Sequence, residues 1–172
     1  MNIINNSQFY KKILSNAPII LLFFSVFNEF DLNYLGLKYF TFNFNYILIF
    51  YFSLKKSKSL GYGLIFIAGL FNDVVLGIPI GISSLMYLLI CGSAAYLRNI
   101  TLRPNLIKDW LFFFATILVV NSLSYIFMNL IFSFQLEYSQ ILLNTFFTFL
   151  FYLFFTYLFR IYERLIFGIS YD

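Results

Sequence analysis

The chain has 172 residues, 62% of them hydrophobic and only 10% charged, with a mean hydropathy of +0.86. A soluble domain holds roughly 45–50% apolar residues, so this chain has too little polar surface to coat a water-soluble globule and reads as an integral membrane protein. The net charge of +4 does not indicate a nucleic-acid partner, because the basic residues form short clusters between apolar runs, where membrane topology accounts for them.

A bilayer core of ~30 Å needs about 20 helical residues per crossing. Apolar runs between polar breaks predict six spans in one transmembrane domain over residues 1–172: 13–30, 35–54, 60–78, 82–97, 110–132 and 140–159. No repeated ten-residue alternation of the β-barrel kind occurs. The first span follows Lys11 and Lys12 as a signal peptide would. No small-x-small cleavage site follows it, and it is read as retained. In the second, Phe40, Phe42, Phe44 and Tyr46 alternate with polar residues, which by period alone is a strand signal. An unpaired strand cannot cross hydrocarbon, because its backbone groups lack partners. The segment therefore reads as the irregular, interfacial start of a helix.

Spans three and four form a tight hairpin whose turn is "GIPIG", residues 77–81. Pro79 disfavours helical geometry at the residue before it, so helix three stops near Ile78. Gly69, Asp73 and Gly77 are spaced four apart and share one helix face, and the glycines let a neighbouring helix approach closely. Across from them lie Gly81, Ser84, Gly92, Ser93 and Ala95. Asp73 is the only acidic residue between Asp31 and Asp109, and a carboxyl in hydrocarbon costs about 2.5–3.5 kcal/mol at a helix centre. Three roles stand open for it: bracing the hairpin through the Ser83 and Ser84 hydroxyls or the turn's N–H groups, coupling to a partner, or carrying protons or ions.

On span five, Asn121, Ser124, Tyr125 and Met128 share a face; on span six, Thr145, Thr148, Tyr152 and Thr156 do. These residues, with Asn129 and Asn144, fit either hydrogen bonding between helices or a small-molecule pocket. The 26 Phe and 14 Tyr are spread from end to end, which reads as composition rather than as an aromatic cage. Cys91 is the single cysteine, so no intramolecular disulfide forms.

Placing both termini in the cytoplasm puts Lys11, Lys12, Lys55, Lys56, Lys58, Arg98, Arg103, Lys108, Arg160 and Arg164 in inner loops and tails, and leaves Lys38 alone outside. That bias supports an even number of spans. Catalysis has little to stand on. There is no histidine, the seven carboxylates are scattered singly, and no phosphate-binding, metalloprotease or nucleophile-elbow string occurs. No cofactor or metal site is expected, and the protein is not expected to be an enzyme.

The stretch "GLFNDVVLGIPIG" resembles the motif of MreD, the rod shape-determining membrane protein family of bacteria, through Gly69, Leu70, Asp73, Gly77, Pro79 and Gly81. Length and span pattern are also similar to that family. Family members often carry Arg-Pro-Asp ahead of the second span, where this chain has "GLKYFTFNFN". The resemblance implies an all-α bundle of about six transmembrane helices, similar in fold to substrate-binding subunits of energy-coupling-factor transporters. It further implies a non-enzymatic scaffold of the cell-elongation and peptidoglycan-synthesis machinery in the cytoplasmic (inner) membrane. The partners it implies are an MreC-like periplasmic scaffold, with MreB, a RodA-like glycosyltransferase and a class B penicillin-binding protein nearby. The alternative is a membrane subunit of a transporter that binds a small solute. That role requires a polar pocket open to the outside.

Overall fold

The structure, a computed structural model, describes residues 16–27, 41–55, 60–101, 105–133 and 137–167. These form six helices: α1 (Ala17–Phe27), α2 (Phe44–Lys55), α3 (Tyr62–Leu76), α4 (Ile82–Ile100), α5 (Leu106–Ile126, continued by a π turn over Phe127–Ile131) and α6 (Tyr138–Phe167). Each answers to one of the predicted spans. Two of them, over Leu106–Ile131 and Tyr138–Arg164, are long and apolar enough to cross a membrane.

Helix α2 is the axis of the bundle. It packs on α1, α4 and α6, while α4 also packs on α3 and α5. Every residue from Phe44 to Leu54 is buried, as expected of a helix that is apolar on all sides. Aromatic rings fill the space between α2, α5 and α6. Phe50 meets Phe113 at 5.0 Å between centroids, Phe113 stacks on Tyr152 at 4.4 Å, and Phe44 meets Phe155 edge-on at 4.8 Å. The outer helix faces, by contrast, carry large apolar side chains in the open: Leu130 is 76% exposed and Val74 65%.

The helix ends differ from the predicted spans in instructive ways. The first span extends beyond the described residues on both sides, and so does the second at 35–40. Thr41–Asn43 is not helical and α2 starts only at Phe44, in keeping with an irregular start. Helix α3 stops at Leu76 rather than Ile78 because Gly77 takes φ 64° and ends it. Its N–H reaches the Val74 carbonyl and the Ile78 N–H reaches the Asp73 carbonyl, the paired bonds of a Schellman ending. Helices α4, α5 and α6 run past the apolar runs. Arg98, Lys108, Arg160 and Arg164, expected in loops and tails, lie within helices, as does Lys55. An α-helix satisfies its own backbone whatever its side chains, so the end of an apolar run does not fix the end of the helix.

Candidate functional site

The hairpin of α3 and α4 is built around two residues of the motif. A Cβ added at Gly69 would sit 2.4 Å from the Ser84 Cα and 2.6 Å from its nitrogen. The two backbones therefore touch, and only glycine allows it. Ser84, thus pressed against α3, donates its hydroxyl to the Phe66 carbonyl at 3.0 Å. One turn on, Asn72 donates to the Ser83 hydroxyl at 2.9 Å.

Asp73 is fully buried. One carboxylate oxygen accepts the Gly81 N–H at 2.6 Å and the other the Ser83 N–H at 2.8 Å. The first N–H groups of a helix have no partner within it, and a capping side chain at the residue before the helix usually supplies one. Gly81 occupies that position here and has no side chain, so Asp73 caps α4 from the preceding helix. Its negative charge also faces the positive end of the α4 dipole. Of the roles left open by the sequence, the geometry displays the brace, made through the N–H of Gly81 in the turn and of Ser83 in the first turn of α4 rather than through the serine hydroxyls.

The rest of the motif divides by cause. Gly77 and Gly81 have φ of 64° and 108°, a region that glycine enters without steric cost. A Cβ at either would meet nothing within 4 Å. Gly77 is thus a turn residue and not, as its spacing suggested, part of the close helix contact. Gly92 likewise faces open space and does not contribute to the interface expected of it. Leu70 and Pro79 are half-buried.

Beside the hairpin, a polar network ties the same end of the bundle together. Asn121 on α5 donates to Thr145 on α6 at 2.6 Å, Thr148 accepts the Asn43 N–H at 2.9 Å, and Asn144 donates to Thr41 at 3.1 Å. The first is an interhelical bond of the kind expected of the span-five and span-six faces; the other two tie α6 to the non-helical segment ahead of α2. A second chain was missed. The Ser25 hydroxyl meets the Asn45 carbonyl oxygen, and the Asn45 amide donates to the Tyr87 hydroxyl at 2.8 Å. Polar residues inside the "FTFNFNY" alternation were its signal. Between hairpin and network lies an open cavity of about 300 Å³, lined by Asn43, Tyr46, Asn72, Asn121, Ser124 and Asn144 among others. Asn129 instead is exposed and bonds Tyr125 on its own helix.

The opposite end of the bundle gathers the charges. Lys55 pairs with Asp109 at 3.0 Å, with both side chains largely buried. Arg98 donates to the Ser53 carbonyl at 2.8 Å, and the Tyr51 hydroxyl to the buried Glu163 carboxylate at 3.0 Å. Asp109 and Glu163, scattered singly in the sequence, are thus both partnered in the fold. Each is held by a donor from α2, a partner more than fifty residues away that sequence spacing does not reveal. Comparison of the chain with family models, curated proteins and solved structures returned no match.

Proposed function

We propose that the chain is a multi-pass protein of the bacterial cytoplasmic membrane with both termini in the cytoplasm. In this reading it acts by binding, as a non-enzymatic coupling subunit of the cell-elongation machinery, and its partner is an MreC-like scaffold. The observation that carries the reading is the hairpin motif, Gly69, Leu70, Asp73, Gly77, Pro79 and Gly81. Its sequence resembles the MreD motif, and its glycines and aspartate work together to fix one rigid corner. That corner presents apolar side chains outward, Ile80 being 73% exposed, as a surface for a partner requires. Membrane residence is supported by the two long apolar helices and by the large side chains left open on the helix faces. Orientation is supported by the position of Lys55 and Arg98 at the end of the bundle remote from the hairpin, which the positive-inside rule assigns to the cytoplasm. A binding role is favoured because both Asp73 oxygens already accept backbone N–H groups.

Affinity capture from gently solubilised membranes tests the partner. An MreC-like protein is expected to come with the wild type and to be lost when Ile80→Glu alters the exposed corner. Recovery of ATPase subunits in its place would overturn the reading. Impermeant thiol labelling in a Cys91→Ser background tests orientation. A cysteine at Glu137 should react from outside and one at Asn99 should not.

A further inference from the structure

The cavity between the hairpin and the α5–α6 network has a chemistry that the scaffold role does not use. Its volume of about 300 Å³ is at the lower end of small-molecule sites. Most of the residues lining it carry amides or hydroxyls, and none carries a formal charge. Asp73 lies close by, but it is fully buried and its two oxygens accept the N–H groups of Gly81 and Ser83. The described basic residues that make bonds do so at the other end of the bundle.

Several lining groups are buried yet keep hydrogen-bonding capacity for something other than protein. Tyr46 is 7% exposed, and its ring packs edge-on to Tyr87 at 5.9 Å. No described residue bonds its hydroxyl. Asn72 and Asn121 are over nine-tenths buried. Each binds a protein hydroxyl through one end of its amide and keeps the other end free of partners among the described residues. Ser124 adds a further hydroxyl on the cavity wall. The free atoms of these groups open onto the cavity rather than into packed protein, so they are available to water or to a ligand that replaces it.

We propose that this cavity binds an uncharged group rich in hydroxyls and amides, of about the size of one sugar ring. A phosphate or carboxylate would meet no cation among the described lining residues, and an ammonium would meet no anion. Neutral donors and acceptors would be matched on several sides. Met86, Leu76 and Ile141 supply the apolar part of the wall, against which the C–H face of a ring can lie. The same chemistry is offered by a free solute and by the neutral headgroup of a glycolipid. The proposal does not depend on the identity of the protein partner.

The test uses the full-length protein in a detergent without a sugar headgroup, with binding followed by thermal stabilisation and equilibrium dialysis. The probes are N-acetylglucosamine and glucose, with cationic glucosamine and anionic glucuronate as charged counterparts. The neutral sugars should bind and the charged ones should bind at least tenfold more weakly. Tyr46→Phe and Ser124→Ala each remove a hydroxyl that bonds no described residue, so the fold is untouched. Each should weaken N-acetylglucosamine binding about fivefold, as expected for one hydrogen bond. Octyl glucoside below its micelle concentration separates the two sources. Tighter binding than glucose assigns the group to a lipid, equal binding to a free solute, and either result supports the site. Absence of binding by both neutral probes, a preference for a charged sugar, or wild-type affinity in both variants would each overturn the proposal. None of these results bears on capture of the protein partner, so the two readings fail separately.

Discussion

Replacing Gly69 by alanine is the sharpest perturbation the structure offers. The new methyl would lie 2.4 Å from the Ser84 Cα, 2.6 Å from its nitrogen and 2.8 Å from its hydroxyl oxygen. Carbon atoms rest at about 3.5–4.0 Å, so α3 and α4 would have to separate by roughly 1 Å. Two of the three contacts are backbone, and no rotamer change relieves them. Overpacking of this kind costs about 1–3 kcal/mol. The separation also loosens the Ser84–Phe66 and Asn72–Ser83 bonds, now 3.0 and 2.9 Å, at about 0.6 kcal/mol each. Alanine gains helix propensity over glycine by about 0.8–1 kcal/mol, which must be cancelled before the contact can be read. Gly92→Ala in α4 provides that control, since its methyl meets nothing within 4 Å. The difference between the two variants isolates the contact and should be about 2–4 kcal/mol. Denaturant unfolding in mixed micelles, followed by circular dichroism, measures it. Equal stability of Gly69→Ala and Gly92→Ala would refute the claim that the backbones touch.

Asp73→Leu removes both acceptors and leaves the Gly81 and Ser83 N–H groups unpaired, at about 1–3 kcal/mol each. Asp73→Asn keeps one acceptor and turns an NH₂ group toward the other N–H, so it should lose about half as much; the same unfolding assay ranks them, and equal stability of Asp73→Leu and wild type would exclude the brace. Gly77→Ala should cost about 1–2 kcal/mol through its left-handed backbone alone, and Gly77→Asn less, because asparagine tolerates that conformation. If Gly77→Asn unfolds at the same midpoint as Gly77→Ala, bulk rather than φ is the cause. Lys55→Met should destabilise by about 3–5 kcal/mol by stranding the buried Asp109 carboxylate, and adding Asp109→Leu should recover most of that. A double variant no more stable than the single would show that the pair itself, not the stranded charge, matters.

The sequence by itself determined the elements and the key residue of the hairpin. Six apolar runs mark six helices because a run of apolar side chains long enough to span oil is also long enough to form a helix. Gly-Ile-Pro-Ile-Gly marks the reversal because proline and glycine restrict or free the backbone locally. Asp73 stood out because a lone carboxylate in an apolar stretch requires donors nearby, and the end of the turn and the start of α4, eight and ten residues on, supply them. Tertiary structure decided whatever depended on which helices meet. Spacing put Gly69, Gly77 and Gly92 on candidate contact faces alike, yet only Gly69 touches a neighbouring backbone, since periodicity gives a face but not the rotation or depth at which two helices cross. The pairs Lys55–Asp109, Tyr51–Glu163 and Asn121–Thr145, like the lining of the cavity, bring together residues from different helices. A hydrogen bond is fixed by distances of about 3 Å, and only the packed bundle sets distances that fine.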